Sequence, residues 1–356
     1  MSADLLMSEA AEGEGRPEST ALAVGDVERA VLRLLTGAPL SQAARAGGLA
    51  PEDLAEAAEI YQRSGRQALR ARHTTDWLQL YIEFTDWTTA EQTAADHIAL
   101  LLEEARDSGV VSAWWFMRKF PCWRFRLRPG PTGTAMKSRL APAFDELVRS
   151  GRIGRWWPGA YEAETAAFGG RAGMDLAHDL FCADSDAIAR LARNGAAGLG
   201  RRELSLFLCT TLLRAAGLEW YERGDVWHRV CLERSLPTDV STSKLTAMAN
   251  DLRRLMVVDT SPAGPLLSAG GPLASAAGWA DAFRRAGHTL GAAARGGTLE
   301  RGLRDVASYL TIFHWNRIGL STRAQSMLAW SARAAILGPP PTGQTERGPT
   351  PCPGLR

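Results

Sequence analysis

The hydrophobic pattern is most regular between residues 123 and 128, where apolar and basic side chains alternate without exception. A period of two predicts a β-strand that buries one set of side chains and turns the other set to the opposite face. The buried set is Trp123, Phe125 and Leu127, and the opposite set is Arg124, Arg126 and Arg128. Side chains two apart on a strand stand roughly 6.5–7 Å from each other, so three guanidinium groups would suit an extended anionic or polar partner. The alternative is an edge strand whose exposed face is charged for solubility.

The neighbouring segments complete a sheet with helices. Strands are predicted over 76–84, 113–117 and 151–162, the last ending in Tyr161, and amphipathic helices over 88–108 and 135–150. The order strand, helix, hairpin, helix, strand predicts an α+β fold with a mainly antiparallel sheet.

The remaining segments differ in character. Residues 1–24 are small, acidic and polar and predict disorder, as does the proline-rich tail 339–356. Residues 25–75 predict a small helical segment with the outline of a helix-turn-helix. Its second helix begins with acidic residues, which disfavours base reading, so no nucleic-acid partner is expected. Residues 76–338 are predicted to form the main domain.

The second half of the main domain is predicted to be helical. Asp184-Ser185-Asp186 is typical of an N-cap, where a new helix would begin. Further helices are predicted over 203–234, 241–255, 278–286, 298–317 and 322–337.

Composition limits the classes of function. The net charge is only +2, so any basic surface is local, which argues against binding driven by a phosphate backbone. The five cysteines contain no CxxC pair, and no secretory leader pattern is present, so we expect reduced thiols and a cytoplasmic protein. No apolar run approaches the length of about 18 residues that predicts a membrane span.

Known cofactor and metal patterns are not found. The sequence contains neither GxGxxG nor GxxxxGK[ST], and its six histidines show no ligand spacing. We therefore expect no metal and no cofactor.

Acidic residues follow the last predicted strand. Tyr161-Glu162-Ala163-Glu164 runs into Gly169-Gly170 and then a helix. These carboxylates could pair with the arginine face or position a proton, or they could be solvated acids at the end of a strand.

A second polar group lies on the helix predicted over 298–317, which carries Tyr309, His314, Asn316 and Arg317. Helical spacing places His314 and Arg317 on one face. A lone histidine here is typical of a hydrogen-bonded core or a helix C-cap, and a proton-transfer role is the alternative.

Three segments together resemble a known family. They are Trp114 to Arg128, Tyr161 to Ser185, and His314 to Ser321, within a likeness that runs from about Trp77 to Gly319. They resemble the thiopeptide-type bacteriocin biosynthesis family, which is similar in fold to the glutamate-eliminating domain of class I lanthipeptide dehydratases.

The sequence departs from that family at two positions. Arg118, Arg124 and Arg126 match the family pattern, but Trp123 stands where a histidine is expected. Ala166 and Ala167 replace an arginine. These changes would remove part of a clamp for a glutamyl carboxylate. A chain of this length also leaves no room for a glutamylation domain.

With these losses, the resemblance implies a pyridine synthase of thiopeptide macrocycle formation. Such an enzyme joins two dehydroalanines of a precursor peptide in a formal [4+2] aza-cycloaddition and then releases water and the leader peptide. The expected partner is that modified precursor with its leader. The expected proton-handling residues are Tyr161, Glu164, Tyr309 and His314, and the expected substrate or leader contacts are Arg118, Arg124, Arg126, Trp115, Trp123, Asn316 and Arg317.

Two other functions remain open. A stand-alone enzyme could eliminate glutamate from glutamylated Ser or Thr. A non-catalytic scaffold could instead deliver the precursor peptide to other enzymes.

Overall fold

The computed structural model describes residues 24–73, 77–195 and 198–338. They belong to two compact units that divide between residues 75 and 76. The predicted disorder of 1–24 and 339–356 falls outside the described residues except at Val24, where the first helix begins.

The first unit consists of three helices: α1 (Val24–Leu35), α2 (Leu40–Gly47) and α3 (Pro51–His73). Its small core is formed by Ala30, Val31, Ala43, Ala44, Leu54 and Ala58. Gly47 lets α2 approach α1 closely, because a Cβ there would lie 2.7 Å from the Cβ of Ala30.

The second unit begins with the sheet. Its elements are β1 (Leu78–Phe84), α4 (Ala90–Thr93), a π-helical turn (Ala94–Ala99), α5 (Leu100–Asp107), β2 (Val111–Met117), β3 (Cys122–Pro129), α6 (Met136–Arg149) and β4 (Ile153–Gly159). The strand order is β2-β3-β1-β4 and every pairing is antiparallel. This is the split β-α-β arrangement of ferredoxin-like folds, and it confirms the predicted α+β class.

The position of β3 corrects one interpretation. Because β3 pairs with β2 on one side and β1 on the other, it is an interior strand. Its arginines therefore cannot serve to protect a sheet edge. Trp123, Phe125 and Leu127 are buried, as the alternation predicts.

The second half of this unit is helical. The helices are α7 (Gly170–Asn194), α8 (Arg201–Ala215), α9 (Trp220–Glu233), α10 (Thr242–Val257), α11 (Ala277–Arg295), α12 (Leu303–Ile318) and α13 (Thr322–Leu337). Among the described residues, no helix is both long and apolar enough to cross a membrane.

Several predicted boundaries were wrong, including the helix predicted over 203–234, which a break after Ala215 divides into α8 and α9. The strand predicted over 151–162 ends at Gly159, so Tyr161 lies in the following loop. Asp184-Ser185-Asp186 does not begin a helix, because α7 runs through it from Gly170. The helix predicted over 278–286 continues to Arg295, with Gly287 packed against the Leu212 carbonyl of α8 and Gly291 against the backbone of Ala216, which follows α8.

Helix α7 joins the two halves of the unit. It begins after Gly169, whose φ of 79° lies in the left-handed region that favours glycine. Further along, the backbone N–H of Phe116 in β2 donates to the Ser185 hydroxyl at 3.1 Å. Helix α7 therefore covers the outer edge of β2 and brings its own side chains to one end of the sheet.

Candidate functional site

One face of the sheet carries the predicted arginines in cross-strand rows. Arg126 lies opposite Trp115 on β2 and Gln79 on β1. In the next row, Arg124 lies opposite Tyr81, which in turn lies opposite Trp157 on β4. Directly opposed residues of antiparallel strands share a face, so these side chains lie together.

Arg126 is the centre of this face. Its Nε donates to Oε1 of Gln79 at 2.9 Å, and its guanidinium carbon lies 4.3 Å from the Trp115 ring centroid. Burial lowers the pKa of Arg126 to about 10, although Tyr161 and Glu164 oppose the shift, so the side chain is charged at neutral pH. Its buried Nη1 has no hydrogen-bond partner among the described residues and can donate to a substrate oxygen.

This finding excludes the alternative interpretation, in which the three arginines form an exposed charged face. Arg126 is only 4% exposed, and Arg124 and Arg128 are half-buried. The cause is aromatic cover: the guanidinium carbons of Arg124 and Arg128 lie 5.6 Å from the ring centroids of Tyr81 and Trp77, respectively. The row is therefore a partly buried, aromatic-lined set of cations rather than a solvated charge stripe.

Tyr161 and His178 form the second part of the cluster. The Tyr161 hydroxyl lies 2.8 Å from Nε2 of His178 on α7. Burial raises the pKa of Tyr161, with a further increase from Glu164 that Arg126 partly opposes. Burial, together with Arg128 and Arg126, lowers the pKa of His178 to about 4. Both groups are therefore neutral near pH 7, so the phenol holds a proton and the imidazole has one basic nitrogen.

Glu164 supplies a carboxylate beside the phenol. It lies in the loop between β4 and α7, and its buried Oε2 has no partner among the described residues. Its negative charge acts on both Tyr161 and Arg126. The cluster of Arg126, Tyr161, His178 and Glu164, called here the Arg126 cluster, thus combines a cation, a phenol, an imidazole and a carboxylate. We find no group of three or more possible metal ligands in the described ranges.

Aromatic rings form the walls of the cluster. The Trp77 and His178 rings lie 4.9 Å apart, and Trp115 contacts Tyr161 edge to face at 5.8 Å. Trp115, expected from the sequence to contact the substrate or leader, lies in this wall. Trp123 does not, because its side chain lies on the opposite face of the sheet, where it stacks on Phe116.

Arg118 lies outside the cluster. Its Nη1 donates to Glu91 at 3.0 Å and its Nε to the backbone carbonyl of Arg317 at 2.6 Å. Arg201 donates to Glu91 as well and also to the carbonyl of Ile318. These arginines cap the C-terminus of α12, which is a structural task.

The predicted residues of α12 also lie apart from the cluster. Tyr309 contacts Phe168 and Arg301, and the Asn316 side chain accepts a hydrogen bond from Gln325. His314 and Arg317 are fully buried. The structure therefore does not bring these four residues together with Tyr161 and Glu164.

His314 and Arg317 instead meet Asp184 in the core. Asp184 accepts from Nδ1 of His314 at 2.9 Å, from Nε of Arg317 at 2.7 Å and from Nε1 of Trp279 at 2.9 Å. Burial alone would raise the pKa of Asp184, but His314 and Arg317 outweigh that effect and lower it. Phe181 joins this network to the Arg126 cluster, because its ring lies 4.1 Å from the Arg317 guanidinium carbon and 4.9 Å from the Trp115 ring.

Sequence reasoning missed His178, Gln79 and Asp184. The apolar spacing of α7 gave a usable signal for Asp184, because Ala177, Leu180 and Phe181 place position 184 on the buried face. No pattern in the sequence pointed to His178 or Gln79, whose partners lie on other elements.

A family comparison agrees with this architecture. Residues 77–336 match the model of the family described as "Lantibiotic biosynthesis dehydratase C-term". The chain belongs to this family. The predicted kinship with lanthipeptide dehydratases is thereby confirmed. No curated protein matches the sequence closely enough to count as a relative.

Several solved structures are similar to this chain. The tRNA-dependent lantibiotic dehydratase MibB from Microbispora sp. 107891 is 21% identical, with a TM-score of 0.52 over 73% of this chain. The matched region is 28% of MibB, so this chain spans little more than a quarter of that protein, and the likeness concerns the fold alone.

Two smaller proteins are similar over nearly their whole length. TsrL is 16% identical, with a TM-score of 0.45 over 74% of this chain and 98% of its own. The pyridine synthase TbtD, from thiomuracin biosynthesis, is 14% identical, with a TM-score of 0.49 over 73% of this chain and 97% of its own.

Proposed function

We propose that this chain is an enzyme of ribosomal peptide maturation that closes a pyridine ring between two dehydroalanines of a modified precursor peptide. Membership of the lantibiotic dehydratase C-terminal family supports the broader role in peptide modification. The observation that carries the proposal is the Arg126 cluster, in which a buried cation, a neutral phenol and a carboxylate converge between aromatic walls.

The chemistry needs proton transfer at an amide. One dehydroalanine must react as the imidic-acid tautomer of its amide, so a proton leaves nitrogen and another reaches oxygen. In the proposal, Tyr161 and Glu164 handle these protons. Arg126 holds the amide oxygen with its free Nη1 and stabilises the negative charge that develops there.

The aromatic surface serves to bring the two alkenes together. Two reacting groups that are far apart in a peptide meet rarely, which makes the step slow. Holding them in contact removes much of this entropic part of the barrier. The second row, formed by Arg124, Tyr81 and Trp157, extends the surface across the sheet, with the Tyr81 and Trp157 rings stacked 5.3 Å apart. Arg124 also keeps a buried Nε without a partner among the described residues. This row is proposed to hold peptide on either side of the reacting groups.

Glutamate elimination is the second candidate. Ala166 and Ala167 supply no charge, and a glutamyl carboxylate next to Glu164 would meet a like charge, although Lys119 as well as Arg126 interacts electrostatically with Glu164. Trp123, which stands where the family pattern has a histidine, does not bear on the choice between elimination and ring closure. Its side chain lies on the other face of the sheet. The proposal therefore favours ring closure over elimination.

A turnover experiment separates an enzyme from a scaffold. Purified protein is incubated with a leader-bearing peptide that contains two dehydroalanines, and the mixture is resolved by chromatography. We expect the leader as a separate fragment and a product with pyridine absorbance. A scaffold would retain the peptide at unchanged mass, and that result would refute the enzymatic proposal.

A further inference from the structure

Gln79 lies beside Arg126 in one cross-strand row of the sheet. The row runs from Trp115 on β2 through Arg126 on β3 and Gln79 on β1 to Gly159 on β4. Arg126 is therefore held from both sides. The Trp115 ring centroid lies 4.3 Å from its guanidinium carbon, and Oε1 of Gln79 lies 2.9 Å from its Nε. Gln79 and Arg126 are each only 4% exposed, so their contact is shielded from water.

Both ends of the Gln79 amide are engaged. Oε1 accepts from Nε of Arg126, and Nε2 donates to the backbone carbonyl of Ala160 at 3.1 Å. The reversed amide would set N–H donors against the Nε–H of Arg126 and an oxygen against the Ala160 carbonyl, so the two partners fix one orientation. Ala160 directly precedes Tyr161. The amide thus ties Arg126 to the loop that carries Tyr161 and Glu164.

The chemical nature of this partner matters for Arg126. A glutamine accepts one hydrogen bond from Nε and leaves the positive charge of the guanidinium in place, whereas a carboxylate could form a bidentate ion pair and occupy a second N–H group. Nη1 of Arg126 has no partner among the described residues. The Gln79 amide therefore fixes the guanidinium and keeps both its charge and one donor available.

We propose that Gln79 is a positioning residue for ring closure, which sets the direction of the Arg126 Nη1 donor toward the substrate amide oxygen without neutralising the guanidinium. This inference rests on the proposed function. Gln79 touches no substrate atom and acts through Arg126. A donor that is oriented before charge develops on the oxygen needs no reorganisation during the reaction, which makes it effective.

Two substitutions at position 79 separate orientation from charge. Gln79→Met has a similar length and removes both hydrogen bonds, whereas Gln79→Glu keeps an acceptor for Nε but opposes the positive charge of Arg126. We expect each variant to lose about tenfold or more in kcat, with KM within about threefold of the original, because the affected contact strengthens as charge develops. Gln92→Met, at an exposed glutamine on α4 that donates to Asp96, is the matched control and should keep the original kcat.

A double substitution tests whether Gln79 acts through Arg126. Arg126→Met alone should lose about 10²–10³-fold in kcat, the range for removing such a donor. Adding Gln79→Met should then change kcat by less than about threefold, because the donor that Gln79 orients is already gone. Thermal unfolding checks that each variant is folded in the assay, and Gln79→Leu replaces Gln79→Met if the latter is not.

A further loss beyond about threefold in the double variant would overturn the inference, since Gln79 would then act through the Ala160 loop or the fold. Unchanged kcat in Gln79→Met or in Gln79→Glu would overturn it as well. If the unaltered protein forms no pyridine, the proposed function fails and this inference fails with it. If pyridine forms but the two losses multiply, only the role of Gln79 fails.

Discussion

Asp184→Ala is expected to lower the free energy of unfolding by about 3–5 kcal/mol, because it leaves a buried charge without its partner. Asp184 has no exposed surface and accepts hydrogen bonds from His314, Arg317 and Trp279. Arg317 is equally buried, and neither Nη1 nor Nη2 of Arg317 has another partner among the described residues. Urea denaturation of both proteins measures the difference.

Asp251→Ala is the control for this prediction. Asp251 forms an exposed ion pair with Arg254 on α10, and exposed pairs contribute little. A change below about 1 kcal/mol for Asp184→Ala would show that the network does not stabilise the fold.

The same network predicts acid sensitivity. Because its folded-state pKa lies below the ordinary value of 3.8, Asp184 contributes stability that is fully present above that value. The contribution disappears as the pH falls through the folded-state pKa. Asp184→Ala should therefore flatten the acid side of the stability curve.

Tyr161→Phe is expected to reduce kcat for ring closure by about 10²–10⁴-fold, the range typical of losing a group that transfers protons. The phenyl ring can keep its contacts with Trp77 and Trp115, so the fold should be retained. Only the hydroxyl that meets His178 is lost. Rates of leader release under saturating peptide measure the effect.

Tyr221→Phe is the matched control, because Tyr221 is 72% exposed on α9. Its kcat should equal that of the unaltered protein. If Tyr161→Phe also retained full kcat, the Arg126 cluster would not be the site of proton transfer.

The sequence allowed the sheet to be predicted well. Strict alternation from Trp123 to Arg128 identified both the strand and the buried set, since a two-residue period has one physical interpretation in a half-buried strand. The burial of Arg126 could not be read from that pattern. It depends on Trp115 and Gln79, which the strand register brings opposite it from two other strands.

The site was predictable only in part, because it too depends on contacts between residues of different elements. Tyr161 and Glu164 were found because they follow a strand as a polar group, but His178 joins them from a helix whose own pattern marks it only as another inward position. Asp184 was misread because Asp-Ser-Asp is typical of helix caps, whereas here the ion pair with Arg317 offsets the cost of burying it mid-helix. The places of both His178 and Asp184 depend on contacts with residues far away in the sequence, which a local sequence pattern does not reveal.

The most direct test of ring closure is mass spectrometry of two parallel incubations. One contains a leader-bearing peptide with two dehydroalanines, and the other contains the same peptide with a glutamylated Ser. The account predicts loss of water and leader in the first incubation and an unchanged mass in the second. Loss of glutamate in the second incubation, with the first peptide unchanged, would contradict it and assign this chain to elimination.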